Sequence, residues 1–410
     1  MSYKMEKLGD HIDIISGYAF KSKDFIESGV PVVKIKNVTP PSVTLKDLSF
    51  VSEELSDSVP KFILGYDDVL IALTGSHINQ MASVVGRVAR VKYHQKTVMN
   101  QRVGKIVPID SNDCDIDYVY YFLSQEKIKV TLASKAGGAA NQANISPSDV
   151  KDLILPFPDI DIQRYIATTL KTYDDLIEIN QKQINLLEES AQRVYKEWFI
   201  DFRFPGHKIK IKNENLPEGW REQCISDFGE IVTGKTPSTA KEEYYGGNIP
   251  FVKIPDMHDR IYPLTTESRL TKVGADSQKN KYIPKNSIMV SCIATVGLVN
   301  IAVEDCQTNQ QINTVVLADQ EDLYYAFFTL KRLKELLEGV GSNGATMTNV
   351  NKAKFGALKV IYPTKDLIKR FYEYCDPIFS SIYEKSIQEK KLIEARDRLL
   401  QKLMSEEIKL

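Results

Sequence analysis

Cysteine and histidine are scarce in this chain. The 410 residues include five of each, and both kinds are scattered along the sequence. The cysteines form no Cys-x-x-Cys pair, and the histidines show no metal-ligand spacing. The sequence therefore indicates neither a disulfide framework nor a metal site, and we expect a reducing, cytoplasmic setting.

Long uncharged apolar runs are also missing, with one exception. The stretch "NSIMVSCIATVGLVNIAV" (286–303) is uncharged over 18 residues. Its β-branched residues, its serines and the central Gly297 predict two strands around a turn rather than a transmembrane helix. The N-terminal "MSYKMEKLGDHIDI" carries charges throughout, unlike a secretory signal. We expect no membrane association.

Positive and negative charges nearly balance over the whole chain, but not within every segment. The net charge of −1 gives no global argument for a nucleic-acid partner. The segment "GRVARVKYHQKTVMNQRVGK" (86–105), however, holds six Lys or Arg residues and no acid. A solvated strand face and a phosphate-contacting surface both account for such a segment.

The stretch "GEIVTGKTPS" (229–238) contains the phosphate-loop pattern Gly-x-x-x-x-Gly-Lys-Thr. That pattern binds nucleotide only when a buried strand delivers the loop and a helix follows at once. Here the preceding "REQCISDF" is too polar for a central parallel strand, and the following "PSTAKEEYYGG" does not predict a packed helix. We also find no hydrophobic strand ending in Asp to hold magnesium. The context favours a Gly-rich turn over an ATPase or GTPase.

The sequence contains two copies of one repeat, which supports that interpretation. The position that matches Lys235 in the first copy is Tyr18, so a phosphate loop is not shared by the copies. The separation of matching segments falls from roughly 219 to 205 residues, always in order, as expected for a tandem duplication. The matching pairs are "LGDHIDIISG" (8–17) with "ISDFGEIVTG" (225–234), "VPVVKIKNV" (30–38) with "IPFVKIPDM" (249–257), "DVLIALTG" (68–75) with "NSIMVSCIATVG" (286–297), "NQRVGKIV" (100–107) with "NQQINTVV" (309–316), and "GGAANQANISPSDVKDLILPFP" (137–158) with "SNGATMTNVNKAKFGALKVIYP" (342–363).

Each copy ends in a heptad-like pattern that predicts an amphipathic helix. The first apolar seam is broken only at Asn180, and the second is interrupted by Lys385, Glu389 and Arg396. Asp376-Pro377 resembles an N-cap and first helical residue, which predicts a short helix, a break and a helix of about 27 residues, roughly 40 Å long. The seam positions are Ile166, Leu170, Tyr173, Ile177, Ile184, Leu187, Ala191, Val194 and Trp198, then Phe371, Cys375, Ile378, Ile382, Leu392, Leu399 and Leu403.

Two such helices in one chain favour pairing with each other, although packing of each helix on its own domain is the alternative. The globular copies contain many short β-branched segments divided by Gly, Pro and Asn, with one clear helix in "DYVYYFLSQEKIKVTLAS" (117–134). We therefore predict an α+β chain of two tandem, mainly β domains, each followed by a long helix. The helices are expected to pair as an antiparallel coiled-coil spacer with pseudo-twofold symmetry.

The order of these features resembles the specificity subunit of type I restriction-modification enzymes. The resemblance covers essentially the whole chain and rests on "LGDHIDIISGYAFKSKDF", "TGKTPS" followed by "YYGGNIPFVKI", the paired "NQ" segments, and "NISPSDVKDLILPFP" followed by "IQRYI". It implies a first target-recognition domain at 1–160, a helical spacer at 161–203, a linker at 204–216, a second target-recognition domain at 217–364 and a second spacer at 365–410.

The resemblance also implies a function without catalysis in this chain. Each domain would read one half of a split, asymmetric site in double-stranded DNA, and the spacer would dock methyltransferase subunits, expected as two copies, and restriction subunits. AdoMet, ATP and magnesium would then belong to partner chains, and no cofactor is expected here. Consistently, the sequence shows no Asn/Asp-Pro-Pro-Tyr/Phe motif and no Gly-rich AdoMet loop. A scaffold of two β domains that binds proteins or glycans is the alternative.

Candidate DNA-contacting residues come from the basic segment, the turns and the amide-rich loops. Asn and Gln pair bidentately with adenine in the major groove, and Lys and Arg contact phosphates. In the first domain the candidates are Lys34, Lys36, Thr74, Ser76, His77, Arg87, Arg90, Arg102, Asn141, Gln142 and Asn144. In the second domain they are Lys235, Lys253, Arg260, Thr295, Gln310, Asn343, Thr346 and Asn349. The predicted spacer contacts are Ile177, Asn180, Ile184, Leu187, Val194, Trp198, Ile378, Ile382, Leu392, Leu399 and Leu403.

Overall fold

The structure, a computed structural model, describes residues 3–75, 85–136, 143–206, 216–293, 295–334 and 350–405. The chain divides into two compact units. The first comprises Met1–Asp175 and Ile393–Leu410, and the second comprises Leu176–Leu392. Each unit therefore contains one globular repeat together with parts of two long helices.

The first unit is built from short strands and a few helices. Its elements in chain order are β1 (Lys4–Lys7), β2 (Ile12–Ser16), β3 (Val30–Val33), β4 (Val38–Thr39), β5 (Ser42–Val43), β6 (Ser49–Val51), α1 (Glu53–Ser58), β7 (Ile63–Leu64), β8 (Val69–Ala72), β9 (Thr74–Gly75), β10 (Val88–Arg90), β11 (Thr97–Met99), β12 (Val103–Pro108), α2 (Ile116–Ser124), α3 (Glu126–Lys135), β13 (Ala143–Asn144), α4 (Pro147–Lys151), β14 (Ile154–Phe157) and the start of α5 (Ile160–Phe199).

The second unit uses a similar set of elements. In chain order they are β15 (Arg221–Cys224), β16 (Gly229–Thr233), β17 (Tyr245–Val252), α6 (Ile254–Met257), β18 (Ser268–Leu270), α7 (Lys272–Asp276), β19 (Ile288–Ser291), β20 (Val299–Ile301), β21 (Gln307–Thr308), β22 (Ile312–Leu317), α8 (Leu323–Arg332), α9 (Lys352–Gly356), β23 (Lys359–Tyr362) and α10 (Lys365–Met404).

One sheet topology occurs in both units. The order β2-β12-β8-β10 in the first unit corresponds to β16-β22-β19-β20 in the second, and the antiparallel pair β1-β14 corresponds to β15-β23. The predicted strands around Gly297 are β19 and β20, which pair antiparallel. Among the described residues, no helix is both long and apolar enough to span a bilayer.

The central strands are buried on both faces, which explains their unbroken hydrophobic character. In β8, Val69 and Ile71 belong to one hydrophobic cluster, whereas Leu70 and Ala72 belong to another. All four side chains are at most 1% exposed. The strand therefore forms a wall between two cores, one of which continues into the helices of the first unit.

The long helices are continuous, so the predicted break before Pro377 is wrong. Helices α5 and α10 each contain 40 residues, and Pro377 lies inside α10. That length is about 60 Å at 1.5 Å per residue, rather than the 40 Å expected. Proline removes one backbone hydrogen bond, but Phe371, Cys375 and Phe379 on either side of it are fully buried and hold the helix in place.

The two helices run antiparallel in both units. In the second unit Phe199 packs on Phe371 with ring centroids 5.0 Å apart, and Lys385 donates to Gln183. In the first unit Arg396 Nη1 lies 2.7 Å from Asp174 Oδ1. Two of the three charged residues that interrupt the second seam, Lys385 and Arg396, thus bond to polar groups on α5, which is why the seam tolerates them.

The predicted seam residues differ in burial. Asn180, Ile184, Ile382 and Leu403 are buried. The others are half-buried: Ile177, Leu187, Val194, Trp198, Ile378, Leu392 and Leu399. The helices also pack on the globular repeats, because Ile166 and Leu170 join the core of the first unit and Tyr195 joins that of the second. Helix pairing and packing on a domain therefore occur together.

Candidate nucleic-acid interface

Two glycines, Gly17 and Gly234, end the first sheet strand of their repeats in the same way. The N–H of Gly17 donates to Val103 O at 2.9 Å, and that of Gly234 donates to Ile312 O at 3.1 Å. A Cβ atom at Gly17 would lie 2.2 Å from Asn100 O, and one at Gly234 would lie 2.2 Å from Asn309 O. Only glycine permits this approach, so glycine at this position is a packing requirement of the fold.

The geometry around Lys235 agrees with the sequence argument against a phosphate loop. Its N–H donates to Thr308 O at 2.9 Å, as the N–H of Tyr18 donates to Met99 O at 3.0 Å in the first repeat. A phosphate loop needs free N–H groups and an immediate helix. Here both N–H groups of Gly234 and Lys235 bond to neighbouring strands, and a 3-10 turn at Glu242–Tyr244 comes next.

Four chain segments meet beside each of these glycines. In the first unit, Leu73 N donates to Arg102 O at 2.9 Å and Ile145 N donates to Leu73 O at 3.0 Å. In the second unit, Cys292 N donates to Gln311 O at 2.8 Å and Val350 N donates to Cys292 O at 2.9 Å. We call these surfaces the recognition edges, formed by residues 17–18, 73–75, 100–102 and 143–145 in the first unit and 234–236, 291–293, 309–311 and 350 in the second.

The first recognition edge brings together three predicted residues. Thr74 is buried, and its hydroxyl donates to Asn144 Oδ1 at 2.8 Å, which orients that amide. Arg102 is exposed and lies one residue beyond the exposed Gln101. The edge therefore presents an oriented amide and a cation at one surface.

The second recognition edge carries a different set of side chains. The Thr236 hydroxyl donates to Gln310 Oε1 at 2.7 Å, and Asn309 Nδ2 donates to Gln311 Oε1 at 2.8 Å. Lys235 is exposed beside them, and Gln278 Nε2 donates to its carbonyl oxygen at 2.7 Å. Two amides and one ammonium group thus occupy positions where the first edge has Gln101, Arg102 and Tyr18.

Lys34 and Lys253 are equivalent residues that adjoin the recognition edges. Lys34 follows Val33, whose carbonyl accepts from Asn100 N–H, and Lys253 follows Val252, whose carbonyl accepts from Asn309 N–H. The Lys34 ammonium donates to Ser49 Oγ at 2.8 Å, and the Lys253 ammonium lies 2.7 Å from Glu267 Oε2. Burial and the nearby Lys36 lower the pKa of Lys34.

The basic segment 86–105 is largely neutralised by carboxylates, which the sequence did not indicate. Arg90 is only 3% exposed, pairs with Asp117 and stacks 4.1 Å above the Tyr120 ring. It belongs to the interior and is not available as a surface phosphate contact. Three more of its six cations pair across the fold: Lys92 with Asp67 at 2.7 Å, Lys96 with Asp57 at 2.5 Å and Lys105 with Asp68 at 2.7 Å.

The remaining candidates are spread over the surface. Arg87 is half-buried, whereas Lys36 and Thr295 are exposed. Arg260 is exposed, and its Nε donates to His258 O at 3.2 Å. Seven candidates lie outside the described residues, namely Ser76, His77, Asn141, Gln142, Asn343, Thr346 and Asn349.

Sequence reasoning passed over several side chains of the recognition edges, namely Tyr18, Gln101, Thr236 and Gln311. The signal was present, because the repeated "NQ" segments align Gln101 with Gln310 and Arg102 with Gln311. Alignment with the candidates Lys235, Gln310 and Arg102 therefore indicates Tyr18, Gln101 and Gln311, whereas Thr236 aligns with Ala19 and has no such signal. Among the described residues, no group of His, Cys, Asp or Glu could hold a metal ion.

Residues 2–189 and 217–393 match the model of the type I restriction modification DNA specificity domain. The chain belongs to this family. A type I restriction enzyme HindI specificity subunit of Haemophilus influenzae is 31% identical, over 69% of this chain and 74% of its own. The MjaIX specificity subunit of Methanocaldococcus jannaschii is 25% identical, over 79% of this chain and 76% of its own.

A solved structure shows the same fold as this specificity-domain protein. The type I restriction-modification S subunit from M. genitalium aligns with a TM-score of 0.60 and 17% identity, over 98% of this chain and 96% of that one. Two DNA specificity domains, each followed by a long helix, are therefore the architecture of this chain, as the sequence predicts.

Proposed function

We propose that this chain is the specificity subunit of a type I restriction-modification complex and that its two recognition edges read the two halves of a split DNA site. The observation that carries the proposal is the occurrence of one four-segment edge in both repeats, with different side chains at equivalent positions. Tyr18 corresponds to Lys235, and Arg102 corresponds to Gln311. The two half-sites should therefore differ, and the site should be asymmetric.

The side chains on these edges suit base reading. An Asn or Gln amide can pair bidentately with adenine, and Arg can pair with guanine, in the major groove. The amides of Asn144 and Gln310 are each oriented by a threonine hydroxyl 2.7 to 2.8 Å away, which reduces the entropy lost on binding. Lys235 and Arg102, both exposed, suit contacts with phosphate.

The balanced charge of the chain fits a subunit that shares DNA binding with partners. Phosphate contacts supply much of the affinity of DNA-binding proteins, yet most cations of segment 86–105 are paired with carboxylates. We propose that methyltransferase subunits, two per chain, supply the remaining phosphate contacts and that restriction subunits join them in the cytoplasm. AdoMet, ATP and magnesium would be bound by those partners, and this chain would catalyse no reaction.

A base-resolution map of N6-methyladenine in cells with and without this gene tests the proposal. Loss of a single split, asymmetric motif on deletion is expected, and the motif would give both half-sites and the gap between them. A map that does not change, in cells that express the chain and an active methyltransferase, would favour a scaffold that does not bind DNA.

A further inference from the structure

Helices α2 and α8 occupy equivalent places in the two repeats, because each bonds to the strand that precedes a long helix. Tyr118 of α2 donates its hydroxyl to Pro156 O at 2.5 Å, and Tyr325 of α8 donates to Ile361 O. Because these tyrosines occupy one position in the repeat, Tyr121 in the first unit corresponds to Phe328 in the second. Along the helices, which are both 40 residues long, the fifteenth residues are Asp174 and Phe379 and the thirty-second are Ala191 and Arg396.

In the first unit these positions form a polar triad of Tyr121, Asp174 and Arg396. The Tyr121 hydroxyl donates to Asp174 Oδ2 at 2.6 Å, and Arg396 Nη1 lies 2.7 Å from Asp174 Oδ1. One carboxylate therefore joins α2 of the globular repeat, α5 and α10. Tyr121 is 2% exposed, and burial and then the Asp174 charge raise its pKa.

A second polar link lies close to the triad. Lys171, one helical turn before Asp174, places its Nζ 3.3 Å from Asp67 Oδ2 and 3.8 Å from Asp117 Oδ2. Asp117 also pairs with the buried Arg90. Charged and hydrogen-bonded groups thus connect the first globular repeat to its helices, in addition to the apolar core that Ile166, Leu170 and Leu400 share with α2. A cleft of about 650 Å³ lies beside the triad, which leaves Asp174 and Arg396 near water.

In the second unit the equivalent positions are apolar. The Phe328 and Phe379 rings pack with centroids 5.8 Å apart at 80°, and Ala191 is fully buried. The contact is made by dispersion and burial, which depend weakly on angle, whereas hydrogen bonds and ion pairs depend strongly on it. The second junction also has polar contacts at other positions, because the Tyr324 hydroxyl donates to Asp376 Oδ1 at 2.8 Å and the Tyr195 and Thr329 hydroxyls lie 2.9 Å apart. The two junctions therefore differ at these three equivalent positions, where only the first has a charged group.

We propose that Tyr121, Asp174 and Arg396 are positioning residues that fix the angle of the first DNA-reading domain on the two helices and so restrict the gap between half-sites. This inference rests on the proposed function, because a gap exists only if both edges read DNA. A carboxylate held from two directions permits one orientation of α2 relative to α5 and α10. Loss of either bond should let the domain tilt and accept DNA whose half-sites are displaced.

The test uses the full chain assembled with its methyltransferase partner and duplexes that carry the mapped motif or the same motif with one base pair added to or removed from the gap. The measured quantity is gap discrimination, the ratio of dissociation constants for the altered and native gaps. D174N and R396Q should reduce it about tenfold, the size expected for one charge-assisted hydrogen bond, with native-gap affinity nearly retained. Y121F should reduce it by a smaller factor.

Tyr165→Phe is the matched control, because Tyr165 is a tyrosine of α5 that is 57% exposed. It should discriminate gaps as the wild type does. Folded D174N and R396Q variants with unchanged discrimination would overturn the inference, as would an equal loss of affinity at every gap. If D174N or R396Q does not fold, Y121F decides, since it removes one hydroxyl. A wild-type complex with no sequence preference would instead overturn the proposed function, and this inference with it.

Discussion

At the scale of single residues, the partners of backbone N–H groups decide what a motif can do. The letters Gly-Lys-Thr at 234–236 fit a phosphate loop, but Gly234 and Lys235 donate their N–H groups to Ile312 O and Thr308 O. Phosphate would have to compete with hydrogen bonds that hold the sheet together. The side chain of Lys235 remains exposed, so its charge is available to a ligand that approaches from outside.

Lys235→Ala should weaken binding to all DNA sequences alike and reduce the slope of log affinity against log salt by about 1, because one phosphate contact is lost. Affinity for a target duplex and an unrelated duplex, each measured over a range of salt concentrations, checks this. Lys285→Ala is the control, since Lys285 is exposed just before β19, at the end of that strand opposite the recognition edge. Binding of ATP that depends on Lys235 would contradict the assignment.

The cysteines should differ sharply in reactivity. Burial raises the pKa of Cys292 to about 11 and, with nearby carboxylates, the pKa of Cys114 and Cys306 to about 12. Cys375 is also buried, whereas Cys224 is half-buried. A thiol titration at pH 8 should detect about one reactive group in the native chain and all five in denaturant. Cys224→Ser should remove the native signal. Rapid reaction of a second thiol would contradict the burial of the other four cysteines.

At the scale of elements, sequence patterns predict the existence of the long helices better than the residues at which they begin. The heptad seams located α5 and α10, and the repeat located equivalent strands, because both follow from the periodic burial of side chains. Pro377 was misread as a helix start, since the sequence does not show that Phe371, Cys375 and Phe379 anchor the helix on both sides. Local signals for helix ends are overridden when tertiary packing is strong.

Asn180 is a buried polar residue in the apolar seam of α5. It is 6% exposed, and its Nδ2 atom has no hydrogen-bond partner among the described residues. Asn180→Leu should raise the free energy of unfolding by about 1 kcal/mol, because an unsatisfied buried donor is replaced by an apolar group. Urea denaturation measures the change. Asn185→Leu, at an exposed position on the same helix, should not stabilise the protein, and a destabilised Asn180→Leu variant would show that the amide is satisfied in solution.

At the scale of the whole molecule, duplication followed by divergence would let one fold read two sequences, as the proposed function requires. Backbone contacts of the recognition edges are shared by the repeats, whereas the side chains differ, so the surface is retained while its chemistry changes. The sequence indicated this edge through Thr74, Arg102, Asn144, Lys235 and Gln310. The sequence alone does not show that Arg90 is buried. Alternating cations on a strand predict a solvated face, and the carboxylate that pairs with Arg90 belongs to Asp117, which is distant in sequence.

Two edges in separate compact units should act independently on binding energy. Asn144→Ala and Gln310→Ala should each cost about 1–3 kcal/mol for the mapped site and relax one position, in different half-sites. The double variant should lose the sum of the two within about 0.5 kcal/mol, because Asn144 and Gln310 share no hydrogen-bond partner in the part of the chain that the structure describes. Within one edge, Thr74→Val and Asn144→Ala should instead be non-additive, since their side chains are joined by a 2.8 Å hydrogen bond. Dissociation constants for the wild type, the three single variants and the two double variants, measured on duplexes with single-base changes, test both expectations. Coupling between Asn144 and Gln310 as strong as that between Thr74 and Asn144 would mean that the edges do not read separate half-sites.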